Sequence, residues 1–137
     1  MKRVLHVIAS PRERSRSEQL AATAIAALDQ VEVTRLELWR ETLPELDGET
    51  VEGRWIDCIT HPGMTFTNDA AGNVTGLAAG RKAILIGAGA LDLADAAQEQ
   101  ALDFQMRYLE TWLRFIGLTE IYSVRAAPTF GSPEAVE

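Results

Sequence analysis

Residues 3 to 9, RVLHVIA, form a nearly unbroken β-favouring apolar run that opens directly into a turn of Ser, Pro and Arg. A run without polar alternation suits a strand covered on both faces of a parallel sheet rather than an amphipathic edge. Beyond the turn, Leu20, Ala21, Ala24, Ile25 and Leu28 recur at spacings of three and four, the period of a helix with one face on a core. Ser15 followed by Glu18 is a capping box, which sets the helix start between Ser15 and Ser17.

The rest of the chain repeats this scheme. Val31 to Trp39, VEVTRLELW, alternates apolar and polar residues with a slip at Thr34-Arg35 and reads as a second strand at or near an edge. Ala83 to Ala88, AILIGA, is another run of the fully buried type. A long helix follows, with Ala97, Ala101, Phe104, Tyr108, Leu109, Trp112 and Ile116 on one face and Gly117 as its C-terminal cap. Glu120 to Pro128 is the last strand. Strands alternating with helices predict an α/β doubly wound parallel sheet, and 137 residues without a linker or repeat predict a single domain over residues 1–137. Residues 40 to 82 hold turn signals at Pro62-Gly63 and Gly72-Asn73 but no buried-type strand, an unusually long loop for a compact domain.

Charge and cysteine usage narrow the function. The net charge of -7 argues against nucleic acid or an anionic membrane surface as a partner. No apolar stretch approaches the roughly 18 residues of a membrane span, and the N-terminal apolar run is too short for a signal peptide. One cysteine, Cys58, excludes an intrachain disulfide and a cysteine-based metal cluster, so a cytoplasmic protein without a metal site is expected. Against the acidic background, Lys2, Arg3, Arg12, Arg14 and Arg16 face only Glu13 up to residue 16. The loop from Ser10 to Ser17 lies at the carboxyl end of the first strand, where doubly wound sheets bind ligands. Its hydroxyls, arginines and free helix N–H groups suit a phosphate. Neither G-x-G-x-x-G nor a Walker A pattern occurs, so a terminal phosphomonoester fits better than a pyrophosphate. On chemistry alone, a helix cap among solvated arginines is an equal reading.

The stretches VLHVIASPRERSRSEQLA, LWRETLPELDGE, WIDCITHPGMTFTNDAAGNVTGLAAGRKAILI and ALDFQMRYLETWLRFIGLTEI, in this order, resemble the flavodoxin-like FMN-dependent NAD(P)H oxidoreductases of the quinone reductase and azoreductase family. The resemblance implies that Ser10, Ser15, Arg16 and Ser17 hold the FMN phosphate. It sets Ala88, Gly89 and Ala90 against the polar edge of the isoalloxazine, although the glycine pair expected there reads Ala90-Leu91. Phe66 matches an aromatic beside the flavin or substrate pocket, and His61, in the loop leading to it, is a further pocket candidate. NAD(P)H is the implied donor and a quinone or azo compound the acceptor. Relative to the family, roughly 60 residues, or two strand-helix units, are lacking at Gly53-Arg54-Trp55, including the central third strand and its ring-binding loop. The fold is therefore expected as a shortened flavodoxin-like sheet. The first strand then pairs with the Ala83 strand or with a second copy, which predicts a homodimer. The alternative is a flavin-free dimeric binding or scaffold protein, or one with a repurposed pocket.

Other polar residues read plainly. His6 is a hydrogen-bonded residue within the first strand, Cys58 a small buried hydrophobe, and Asp92, Asp95, Glu99 and Asp103 the solvated face of the long helix. Trp39, Trp55 and Trp112 are core or interface aromatics. No side chain stands out as catalytic, so the chemistry of an enzyme reading belongs to a cofactor.

Overall fold

The computed structural model describes residues 2–12, 15–41, 51–91 and 102–129. The chain divides into two compact units, Met1–His61 and Pro62–Glu137. In the first, strand β1 (Lys2–Ile8) leads through the serine loop into helix α1 (Arg16–Ala26), and strand β2 (Val31–Glu37) returns parallel to β1 with Lys2 opposite Val31 and Ile8 opposite Glu37. A parallel return requires a crossover, and α1 supplies it. A short 3-10 turn (Leu38–Arg40) and helix α2 (Val51–Ile59) follow. Ile8, Ala21, Leu38 and Ile56 are buried here.

The helix starts where the capping box puts it, but ends earlier than its apolar spacing predicts. Ala27 is the C-cap, and Leu28 lies outside the helix, exposed. Gln30 turns the chain with φ of 53° before β2 begins.

The second unit repeats the arrangement. Strand β5 (Lys82–Ala88) is parallel to β6 (Glu120–Ala126), and helix α3 (Phe104–Phe115) lies between them in sequence. Residues 40 to 82, read from sequence as loop, contain α2 and a small antiparallel hairpin, β3 (Phe66–Asn68) with β4 (Val74–Gly76). Met106, Trp112, Ile116 and Leu118 are the buried apolar residues. The expected face is covered in its second half, where Trp112 and Ile116 are buried, but not in its first, where Phe104 is 71% exposed and Tyr108 is also exposed. Met106 faces the sheet instead, its sulfur within 2.9 Å of where a Gly87 Cβ would stand. Gly117, with φ of 103°, ends the helix in the left-handed conformation expected of it. Ala97, Ala101, Asp92, Asp95 and Glu99 lie outside the described residues.

The apolar runs misled on burial. Leu5 in β1 is 58% exposed and Ile84 in β5 is 52% exposed, so neither strand is covered on both faces. Among the described residues the strands pair as β1 with β2, β3 with β4, and β5 with β6. On β5 and β6, Ile84 lies opposite Tyr122 and Ile86 opposite Val124, so Ile84, Tyr122 and Val124 share one open apolar face.

The hairpin is fixed by two backbone devices. Asp69 accepts from the amides of Ala71 (2.9 Å) and Asn73 (2.8 Å) and from the Asn73 side chain (2.7 Å), which closes the turn containing Gly72. Gly76 runs against the end of α3: a Cβ there would lie 2.1 Å from the Ile116 carbonyl carbon and 2.2 Å from the Gly117 nitrogen. The Ala78 amide donates to the Ile116 carbonyl at 2.8 Å, locking the approach.

Two predictions follow from this packing. Gly76→Ala, which meets rigid backbone, should destabilise by about 3 kcal/mol in chemical denaturation, while Gly87→Ala, which meets a flexible Met106 side chain, should cost about 1 kcal/mol; equal losses would refute the backbone argument. The Asn73 side chain, then the Asn73 amide, hold the Asp69 carboxyl below the usual carboxylate range. Its support of the turn is therefore complete above the unfolded carboxyl pKa and lost as pH falls through the lowered folded value. The Asn73 amide resonance should titrate with a midpoint below that of a free aspartate, and Asp69→Ala should abolish the transition.

Candidate functional site

The serine loop is built by the junction of β1 and α1. Ile8, 4% exposed, anchors the strand end, and Ser15 takes an extended conformation (φ -67°, ψ 128°) as the N-cap of α1. Ser15 is 6% exposed; its hydroxyl accepts from the Glu18 amide at 3.4 Å and lies 2.8 Å from the Ser17 hydroxyl. The structure therefore brings Ser15 and Ser17 together at the helix start. Ser10 is engaged with Arg12, whose amide donates to the Ser10 hydroxyl at 3.4 Å. Arg12 and Arg16 are exposed beside these hydroxyls in sequence, and Arg14 lies outside the described residues. The first-turn amides of α1 carry partial positive charge. Hydroxyls, amides and exposed cations in one stretch of chain are the donors that an oxyanion takes.

Glu18 completes only half of the capping box. Its amide donates to Ser15, but its carboxylate turns to Arg35 of β2, Nη2 to Oε1 at 2.6 Å. Arg35 also approaches Glu37 at 3.6 Å, and Glu37 forms an ion pair with Arg40, Nε to Oε2 at 2.7 Å. His6, opposite Arg35 in the strand register, is not the hydrogen-bonded residue the sequence suggested: its Nδ1 is buried with no partner. Burial first, then Arg35, push its pKa below the ordinary histidine value, with Glu18 opposing. The neutral form of His6 is thereby favoured.

The remaining expected site residues divide. His61 is exposed after α2, its amide donating to the Ile59 carbonyl at 3.1 Å. Phe66 opens the hairpin, and its ring packs against Phe115 of α3 with centroids 5.0 Å apart, so it fastens hairpin to helix. Cys58 is half-buried.

Ala88, Gly89 and Ala90 lie at the carboxyl end of β5. Gly89 is held on both sides: its amide donates to Ala126 (3.1 Å), and its carbonyl accepts from the Thr129 amide (2.8 Å) and hydroxyl (2.9 Å). The Gly89 N–H is thus committed within the fold. Beneath it, Arg125 reaches to 3.5 Å from a Gly89 Cβ position and forms an ion pair with Asp103. Asp103 was expected on a solvated face, but it is 6% exposed and caps α3 through the Met106 amide at 3.1 Å. An aspartate three residues before a buried methionine is an N-cap signal, and it was legible as one. The role of Arg35 had no such signal, because its partner is seventeen residues away.

Comparison with known proteins gives these sites a context. A family model described as flavodoxin-like fold matches residues 2–54 and 53–137. The FMN-dependent NADH:quinone oxidoreductase 2 of Rhizobium etli is 45% identical over 85 residues, 61% of this chain but only 40% of that protein's length. The FMN-dependent NADH:quinone oxidoreductase 3 of Pseudomonas fluorescens is 26% identical over 191 aligned residues, covering 98% of this chain and 88% of the relative. Those 191 positions exceed the 137 residues here by more than fifty, and the two segments of the family match meet at Gly53-Arg54, where the sequence departs from the pattern. Among solved structures, the FMN complex of an FMN-dependent NADH-azoreductase from Bacillus anthracis str. Ames Ancestor has a TM-score of 0.78 at 15% identity, covering 99% of this chain and 92% of that one. An azoreductase from Bacillus anthracis str. Sterne gives 0.75 at 20% identity over 92% and 86%. At these identities the structural likeness speaks for the fold. With parallel strand-helix-strand units on both sides of the seam and one family model spanning both, the chain belongs to the flavodoxin-like fold family.

Proposed function

We propose that this chain is an FMN-dependent NAD(P)H oxidoreductase of the quinone reductase or azoreductase type, acting on a quinone or azo acceptor. The observation that carries the reading is the Ser15–Ser17 hydroxyl pair at the start of α1, with Arg12 and Arg16 exposed nearby in this chain, and the reading is supported by relatives named FMN-dependent NADH:quinone oxidoreductases. In this reading Ser10, Ser15, Arg16 and Ser17 take the phosphate, and Ala88, Gly89 and Ala90 border the ring. Bound FMN supplies two-electron transfer between a nicotinamide and the acceptor. The protein's own groups anchor, orient and exclude water; with the Gly89 amide already bonded to Ala126, hydrogen bonds to a ring at that loop fall to its neighbours. Phe66 and His61 belong to the pocket in this proposal. The two units form one domain, supported by the single family model that matches both, and the protein acts in the cytoplasm as a homodimer. No described helix is long and apolar enough to cross a membrane.

A second reading, a flavin-free dimeric binding or scaffold protein or one with a repurposed pocket, is favoured by one observation. More than fifty positions of the Pseudomonas relative have no counterpart here.

Titration with FMN, followed by quenching of flavin fluorescence, separates the two. The leading proposal expects saturable uptake that Ser17→Ala weakens about tenfold or more, the loss of a charge-assisted hydrogen bond. Ser15→Ala should weaken uptake as well and lower stability by about 1 kcal/mol, because it also removes the cap of α1. A purified protein that takes up no FMN ends the flavin reading; if light scattering then shows a dimer, the second reading stands.

A further inference from the structure

We propose that Arg35 is a positioning residue for the anion site: by holding Glu18, it removes the negative charge that the first turn of α1 otherwise presents to a phosphate monoester. The inference rests on the phosphate reading of the serine loop and concerns a residue outside that loop.

The first turn of α1 contains a built-in conflict. Arg16 begins the helix, so Glu18 is its third residue, within the turn whose amides face the loop. A carboxylate there is favoured by the helix dipole, for the same reason that a phosphate is favoured. The two compete for one positive end, and a phosphate monoester carrying about -1.5 to -2 charges is repelled by a carboxylate held beside it. In a complete capping box that carboxylate folds back onto the N-cap amide. Here Glu18 Oε1 lies 2.6 Å from Arg35 Nη2 instead.

The pair is itself anchored. Arg35 projects from the middle of β2, is paired in register with His6, and has Glu37 at 3.6 Å on its own strand. Glu37 in turn is ion-paired with Arg40. The chain Arg40, Glu37, Arg35, Glu18 alternates in sign and sums to zero, so the described charges left for an anion at the loop are those of Arg12 and Arg16. Arg35 is half-exposed, and its bond to Glu18 adds little to stability. Its consequence is electrostatic.

The experiment is an FMN titration of the full chain and four variants at low ionic strength, with inorganic phosphate as a second probe. Arg35→Gln should raise the Kd for FMN about five- to tenfold, and Arg35→Lys should stay near wild type. Glu18→Gln should bind at least as tightly as wild type, and the double variant Arg35→Gln/Glu18→Gln should return to within about twofold of it. The Arg35→Gln effect should shrink as salt is raised, which a structural defect does not do. The inference is overturned if Arg35→Gln binds like wild type, if the double variant is no better than Arg35→Gln, or if Glu18→Gln alone weakens binding. The last comparison keeps Arg35 in place and decides the matter should Arg35→Gln fail to fold. If wild type binds phosphate but not FMN, the flavin reading falls and the same comparisons with phosphate judge Arg35; if it binds neither, both fall.

Discussion

A strand that pairs in parallel with its neighbour cannot reach it by a tight turn; the chain must leave the strand end, cross over and return. That constraint acts twice here, on β1 with β2 and on β5 with β6. Each crossover creates a junction at the carboxyl end of a strand, and polar groups gather at both. At the first, Ser15 has to satisfy the start of α1 while nearly inaccessible to water, and Ser17 lies against it. At the second, Asp103 does the corresponding work for α3 and holds Arg125 below Gly89.

The junctions differ in what they leave free. Around Ser15 the charged partners are drawn away from the loop, since Glu18 points to Arg35 and the hydroxyls stay together. Around Gly89 the backbone is consumed by Ala126 and Thr129, which fixes the loop and removes a donor from it. The Gly89 junction is thus a firm scaffold with its backbone spent, while the serine junction keeps Arg12 and Arg16 exposed beside its hydroxyls in the chain.

Local signals were legible because they depend on neighbours in sequence. The capping box gave the start of α1, Gly117 the end of α3, and Gly72 the turn that Asp69 closes. Strand positions also followed from the apolar runs at 3–9 and 83–88. Burial did not, since covering a strand depends on what is packed on its faces, and Leu5 and Ile84 are open where their runs promised enclosure. The long helix shows the same split: its existence was plain, but Met106 rather than Phe104 faces the sheet, because the phase of a helix is set by the surface it meets. Phe66, assigned to a pocket by resemblance, is paired with Phe115, a contact between residues far apart in the chain.

The sequence by itself determined the order of β1, α1, β2, β5, α3 and β6 and the caps that start α1 and end α3, while residues 40 to 82 hid α2 and the hairpin. Periodicity and capping are properties of a few consecutive residues, so they survive being read in one dimension. Tertiary structure alone decided that Arg35 takes Glu18, that Asp103 is buried with Arg125, and that Gly89 spends its amide on Ala126. Charges and hydrogen bonds act over a few ångströms of space whatever the distance along the chain, and only folding brings such partners within reach.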